Sequence, residues 1–259
     1  MTSKALITGA SAGLGAAYAD RLAKRGHDLI LVARGEDKLR ELAARLQVDA
    51  EVLVADLTVP ADVERVAARL GEVDVFVNNA GMSYASPVAD ADPAELQRVI
   101  DLNVSAFTRL AQAFAARRQG TLINIASVVP ILHLEGMAAY TASKAYALTF
   151  TQVLAAELAG TDMRIQAVLP GAVGTELWDK SGFPLANLDP EIVMPIADAV
   201  DAALAGLDAG ELITILSLPD AADWEAYEAA RLALVPNMSR RRPAERYLVS
   251  DLPGTALSR

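Results

Sequence analysis

"ALITGASAGLG", residues 5–15, decides the fold. Ala5 to Thr8 make a short apolar, β-favouring run that breaks directly into glycines at 9, 13 and 15 and then into the helix-patterned "AAYADRLAKRG". Strand, tight loop and helix in that order form the first half of a parallel βαβ unit. Glycines lack a Cβ, so they permit positive φ and let backbone amides approach a pyrophosphate closely. The helix that follows turns unpaired N–H groups and a positive dipole end toward such an anion. The spacing is G-x-x-x-G-x-G, with a longer turn before the second glycine than in G-x-G-x-x-G. Gly9, Ser11, Gly13, Leu14 and Gly15 are the candidate cofactor contacts. The loop alone is equally compatible with a strand–helix turn that binds nothing.

The same rhythm continues outward. Apolar runs recur at 28–33, 51–55, 73–77, 121–126, 164–169 and 212–216, separated by amphipathic stretches such as "EDKLRELAARL". Near-continuous apolar strands between helices predict a parallel sheet covered on both faces. Right-handed crossovers make it a doubly wound, Rossmann-type α/β sheet of about seven strands. No linker or repeat divides the chain, so one domain is expected over residues 1–259. One segment breaks the period. Residues 172–195 carry three prolines, which predicts a substrate lid, mobile until ligand orders it, rather than scaffold. "DWEAYEAARLAL" beyond the last strand reads as a helix, and "SRRRP" as a solvated basic run.

Composition narrows the function. The 259 residues are 53% hydrophobic, enough for a full core, and carry a net charge of −10. An acidic surface repels phosphate backbones, so a nucleic-acid partner is not expected. There is no cysteine and there are two histidines, His27 and His133, so no disulfide, thiolate or metal site is expected. The N-terminus lacks a signal-peptide pattern, and no apolar run approaches the roughly 18 residues of a membrane span. A cytoplasmic protein without membrane contact is the expectation.

The end of the second strand bears on the cofactor. A carboxylate there would hold the adenosine ribose of NAD. Here Arg34 stands at that place, 19 residues after Gly15, and a guanidinium suits the 2′-phosphate of NADP. Ser11 would add a hydroxyl near that phosphate. Glu36 and Asp37 follow at once, either as first-turn residues of the next helix or as ribose ligands that would favour NAD. Asp56 ends the third strand, where it would accept a bond from the adenine amine or cap the following helix.

Chemistry is concentrated farther on. "NNAG" at 78–81 ends the fourth strand, Ser127 the fifth, and "YTASK" at 140–144 puts Tyr140 and Lys144 on one helix face. A free tyrosine, with a pKa near ~10, is a poor base at neutral pH. A nearby ammonium favours phenolate, and about three units of lowering need roughly 4 kcal/mol. Lys144 and a positive nicotinamide would supply it, Ser127 would polarise a substrate carbonyl, and Asn103 would hold a water that relays protons to Lys144.

Taken together, "TGASAGLG", "NNAG", Asn103, Ser127, "YTASK" and "PGAVGT" at 170–175 resemble the short-chain dehydrogenase/reductase family in its shorter, single-domain branch. The motifs span the first two thirds of the chain. The resemblance implies Tyr140 as general acid/base, Ser127 orienting the carbonyl, Asn103 in a proton relay, and Lys144 lowering the tyrosine pKa and holding the nicotinamide ribose. It further implies cofactor contacts from Leu57, Asn79, Ala80, Gly81, Pro170, Gly171, Val173 and Thr175. Dimers or tetramers through two long helices, around 93–117 and 136–159, are also implied. Ala172 occupies a variable place, and the last sixty residues carry no diagnostic motif.

Residues placed where that family builds its pocket are mostly apolar. The substrate-binding candidates are Tyr84, Val129, His133, Met137, Leu177 and Trp178, with Phe183 in the same lid. They point to a ketone or secondary alcohol with hydrophobic substituents. The absence of Arg or Lys from this set argues against acyl-carrier or coenzyme A thioesters. The expected function is an NADP(H)-dependent carbonyl reductase or alcohol dehydrogenase. The alternatives are an NAD-preferring alcohol dehydrogenase, a non-catalytic NADP-binding regulator, and an isomerase using the same dyad.

Overall fold

The computed structural model describes residues 3–178 and 185–247. It contains seven strands in one all-parallel sheet: β1 (Lys4–Thr8), β2 (Asp28–Ala33), β3 (Ala50–Val54), β4 (Val75–Asn78), β5 (Gln119–Ile125), β6 (Asp162–Leu169) and β7 (Ile213–Ile215). Their order is β3-β2-β1-β4-β5-β6-β7. Between them run α1 (Gly13–Lys24), α2 (Glu36–Arg45), α3 (Pro60–Arg69), α4 (Pro93–Ile100), α5 (Phe107–Ala115), the short α6 (Val129–Leu132), α7 (Ala138–Glu157) and α8 (Ile196–Ala209).

Alternation along each strand divides the core in two. Ile7, Leu31, Val77 and Ile125 face one side, packed on Tyr18 and Leu22 of α1, Leu39 of α2 and Leu204 of α8. Leu6, Ile30, Phe76 and Leu122 face the other, packed on Val66 of α3, Leu110 and Phe114 of α5 and Leu154 of α7. Successive residues of a strand point to opposite faces, so strands buried on both sides must be apolar at every position. That is why the sequence reads them as continuous runs.

The described residues form two compact units, divided between Ser217 and Leu218. The first holds the sheet. The second contains α9 (Ala221–Leu232), capped by the Asp220 carboxylate, which accepts from the Ala222 N–H at 2.9 Å. Trp224 and Tyr227 stack along it at 5.1 Å between centroids. Among the described residues, no helix is long and apolar enough to cross a membrane.

The helix expected over 93–117 is helical from 93 to 115 but not uniformly α. Residues Asp101–Ala106 form a π-helical stretch between α4 and α5. Such a bulge is often found at functional sites, and Asn103 lies inside it. The expected lid begins and ends pinned. Val173 bridges Met194, with Gly174 N–H donating to Met194 O at 3.1 Å and Met194 N–H to Ala172 O at 2.8 Å. The middle of that lid, residues 179–184 with Phe183, lies outside the described residues.

Candidate active site

Strand order reverses between β1 and β4, which opens a crevice at their carboxyl ends. Thr8, at the end of β1, stitches that crevice together. Its hydroxyl donates to Val77 O and accepts the backbone N–H of Asn79 and Ala80, both at 3.0 Å. The Asn79 amide in turn donates to Thr8 O at 2.8 Å. Gly9 and Gly13 have φ of +67° and +55°, conformations that L side chains rarely adopt. A Cβ on Gly15 would stand 2.2 Å from Gly9 O, and one on Gly13 3.2 Å from Thr175 Cγ2. The loop is therefore clasped between Asn79 and Thr175. Helix α1 starts behind it without a side-chain cap and without an acidic first-turn residue, so its leading amides suit an anion. This cradle fits the pyrophosphate of a dinucleotide. Leu14 packs on the core behind the loop, and Ser11 is half-buried within it.

At the adenosine end, Arg34 is exposed, with Nη1 3.9 Å from Asp56 Oδ2. Asp56 Oδ1 accepts the Thr58 N–H at 3.0 Å and its hydroxyl at 2.8 Å. Burial would raise the Asp56 carboxyl, but the two Thr58 bonds and the Arg34 charge outweigh it and hold the group below its ordinary value. Glu36 does not turn toward the ribose position. It accepts from Arg40 Nε at 2.9 Å and Nη2 at 2.6 Å, along its own helix. Leu57 is buried in the core beside α3.

The catalytic candidates converge at the end of β5. Lys144 Nζ donates to Ile125 O at 2.8 Å and lies 5.8 Å from the centroid of the Tyr140 ring. Ser127 is buried next to the Tyr140 hydroxyl, its own hydroxyl donating to Pro170 O at 3.4 Å. Asn103 reaches the same place from the π-helical stretch. Its amide donates to Met82 O at 2.8 Å and to Ser143 Oγ at 3.0 Å, and its Oδ1 accepts the Met82 N–H at 2.9 Å. Ser143 passes the link to Tyr140 O at 2.7 Å. A Cβ on Gly81 would lie 3.4 Å from Asn103 Oδ1 and 3.5 Å from Lys144 Nζ. Glycine at 81 thus leaves the space between those two groups unfilled. Pro170 adjoins Ser127, Gly171 faces open space, and Val173 is buried against Met194.

The electrostatics of the pair's own groups are dominated by burial. Burial pushes the Tyr140 phenol up to about 12, with the Ser127 hydroxyl pulling the other way, and burial pulls Lys144 down to about 8. Desolvation disfavours both charged forms, so the protein's own groups hold the phenol protonated.

The Lys144 shift makes stability depend on pH. Below pH 8 both folded and unfolded chains carry the proton, and the folded state bears the full cost of burying it. Between about 8 and 10.5 the unfolded chain binds a proton that the folded chain has released, so stability rises with pH. Tyr140 acts oppositely above pH 10, where the unfolded phenol ionises first. Subtracting the unfolding free energy of Lys144→Met from that of the wild type removes everything but the lysine. The difference is expected to rise by about 2–3 kcal/mol from pH 7 to 10. A flat difference in denaturant titrations would mean that the ammonium is solvated in the folded protein.

The substrate candidates divide. Val129 and Met137 pack directly with Tyr140. The Tyr84 hydroxyl accepts the Asp92 N–H at 3.1 Å, at the start of α4. Trp178 Nε1 donates to Val173 O at 3.0 Å, and Leu177 beside it is half-buried. His133 lies on a cavity whose lining does not include Tyr140. It ends α6 with φ of 53°, and the cavity, of about 340 Å³, is lined also by Pro130, Leu134, Ala138, Thr141, Ala142 and Ala145. Those α7 residues stand about 100° to 200° around the helix from Tyr140.

Some positioning residues escaped the sequence reading. Ser143 was legible only as a letter inside "YTASK". Asn124 bonds Asn78 and Thr151 at 3.2 and 3.0 Å, a buried chain joining β4, β5 and α7. The available signal was a polar residue inside an apolar strand run, which states no partner. Among the described residues, no three His, Asp or Glu side chains gather into a group that could hold a metal ion.

A parallel sheet with a glycine cradle at its switch point and a Ser, Tyr and Lys gathered beside it defines an oxidoreductase class, and the comparisons agree. The family model described as short chain dehydrogenase matches residues 3–183, and the chain belongs to that family. A short-chain dehydrogenase from Sphingobium yanoikuyae, solved in complex with NADPH, is 42% identical with a TM-score of 0.90, over 95% of this chain and 100% of that one. A bulky-bulky ketone specific alcohol dehydrogenase from Comamonas testosteroni is 38% identical with a TM-score of 0.86, over 95% and 98% of the two chains. The 3-oxoacyl-(acyl-carrier-protein) reductase FabG of Escherichia coli (strain K12) is 34% identical over 67% of this chain and 74% of its own.

Proposed function

We propose that this oxidoreductase is NADP(H)-dependent and interconverts a ketone or aldehyde with the corresponding alcohol on a mainly apolar small molecule, with Tyr140 as general acid/base. The observation that carries the reading is the convergence of Ser127, Tyr140 and Lys144, all buried at the carboxyl end of β5. The NADPH of the Sphingobium relative and the ketone specificity of the Comamonas one support it.

A bound nicotinamide dinucleotide supplies or accepts the hydride. The Ser127 hydroxyl donates to the carbonyl oxygen and orients it. In reduction Tyr140 gives its proton to that oxygen, and the phenol, held protonated by burial, is in the form an acid requires. In oxidation it takes the proton back, and the Lys144 ammonium favours the phenolate. Lys144, lowered by burial to about 8, exchanges protons readily near neutral pH. A water held by Asn103 would relay protons to Lys144, and the glycine at 81 keeps a side chain out of the space beside both groups. Val129 and Met137 give the substrate an apolar wall next to the phenol.

NADPH consumption with a panel of carbonyl compounds tests this. Turnover is expected with ketones carrying two bulky apolar groups, and inactivity toward every carbonyl compound would refute an enzymatic role. Cofactor choice is tested by Arg34→Asp. A guanidinium on a 2′-phosphate is worth about 1.5–3 kcal/mol, and Asp adds repulsion while accepting a ribose hydroxyl. The ratio of kcat/KM should swing toward NADH about ten- to a hundredfold, mostly through KM. Wild-type protein that uses NADH as well as NADPH would show that Arg34 does not read the phosphate.

The same reading includes self-association through α4–α5 and α7, where Ile100, Tyr146 and Val153 are exposed. It places the protein in the cytoplasm, acting on a small molecule.

A further inference from the structure

Two cations flank the end of β2, and each faces one carboxylate. Arg34 faces Asp56. Lys38, in the first turn of α2, has Nζ 3.5 Å from Glu176 Oε1. The second pair joins distant parts of the chain, since Glu176 belongs to the segment that follows β6. Its neighbour Thr175 packs at Gly13, where a Cβ would meet its Cγ2 at 3.2 Å. Glu176 therefore stands beside the glycine loop, and its pair with Lys38 runs from that loop to the end of β2. Glu36 is engaged by Arg40 and does not compete for Lys38.

The Lys38–Glu176 pair is suited to exchange. Both side chains are more than half exposed, at 57% and 54%, and the separation is at the long end of an ion pair. Such a contact contributes little and is easily replaced. A phosphate monoester near neutral pH carries nearly twice the charge of a carboxylate and has three strong acceptor oxygens. It outcompetes a carboxylate for an ammonium within reach.

We propose that Lys38 is a second specificity-determining cation for the cofactor's 2′-phosphate, and that Glu176 is the counter-ion this phosphate displaces. The proposal rests on the NADP reading above. It adds a consequence that Arg34 alone lacks: occupation of the 2′-phosphate position reaches the segment leading to Trp178.

Calorimetric binding of 2′,5′-ADP and 5′-AMP to the full chain separates the two ideas, because the ligands differ only in the 2′-phosphate. Lys38→Gln should weaken 2′,5′-ADP about tenfold and leave 5′-AMP unchanged. Glu176→Gln should tighten 2′,5′-ADP about two- to fivefold, again without effect on 5′-AMP. Unchanged 5′-AMP affinity shows that the site is intact in each variant. Trp178 and Trp224 are the chain's two tryptophans. In a Trp224→Phe background, Trp178 emission should change with 2′,5′-ADP, but not with 5′-AMP and not once Lys38 is Gln. Equal wild-type affinity for both nucleotides sinks the NADP reading, and this proposal with it. A wild-type preference for 2′,5′-ADP that survives Lys38→Gln undiminished overturns the proposal alone.

Discussion

Tyr140→Phe is expected to lower kcat by about three to four orders of magnitude while leaving the dissociation constant for NADPH within about twofold. The phenylalanine keeps the ring that packs with Val129 and Met137 and removes only the hydroxyl. General acid/base transfer by a placed side chain contributes about 10²–10⁴ in rate. The upper end applies here because the Lys144 nitrogen, 5.8 Å from the ring centroid and bonded to Ile125 O, cannot stand in at the substrate oxygen without leaving its partner. The fold should not suffer, since the lost group is a buried hydroxyl whose burial already disfavours its charged form. Steady-state kinetics on a good ketone with a parallel NADPH titration checks both halves. Near-normal kcat in the variant would remove Tyr140 from the chemistry.

Gly15→Ala should have the second large effect, acting through backbone rather than chemistry. Gly15 does not need a left-handed conformation, and alanine is the better helix former by about 1 kcal/mol. Its methyl, however, would stand 2.2 Å from Gly9 O and 2.7 Å from Asn79 Nδ2. The first obstacle is main chain and cannot swing aside. The Gly9 turn must move outward, breaking the register of Thr8, Asn79 and Ala80. Overpacking of this kind costs typically about 1–3 kcal/mol, and an ångström of displacement in a positioning loop can cost about a hundredfold in rate. We expect weaker NADPH binding by about ten- to a hundredfold and a lower Tm. Unaltered NADPH affinity would mean that the glycine loop does not carry the pyrophosphate. Gly26, where a Cβ meets nothing within 4 Å, is the control; at its φ of +85° an alanine strains the backbone without touching the cradle.

Much of the architecture was readable from neighbouring residues. The run at 28–33 is apolar at every position after Asp28 because β2 is covered on both faces. The glycines at 9 and 13 announce a backbone that only glycine adopts easily. The four-residue spacing of Tyr140 and Lys144 puts both on the buried face of α7. These are local rules, in which a residue constrains the chain within a turn or a pleat of itself.

Other features have no local signature. Nothing within ten residues of Asn103 tells that its helix widens into a π-helical stretch, or that its amide will be held by Met82 and Ser143. His133 stands six residues after Ser127, yet the left-handed turn after α6 carries it to another face of α7. Glu36 and Arg34 are two letters apart, and only the helix direction shows one turned to Arg40 and the other toward Asp56. No run of letters tells that burial raises the Tyr140 phenol and lowers the Lys144 ammonium. By itself the sequence determined the parallel sheet, the glycine cradle and the residue types of the site, because periodicity and backbone sterics act between near neighbours. The tertiary structure alone decided which side chains meet, which amides are already spent on one another and which charges lose their water, because those depend on atoms that the chain brings together from tens of residues away.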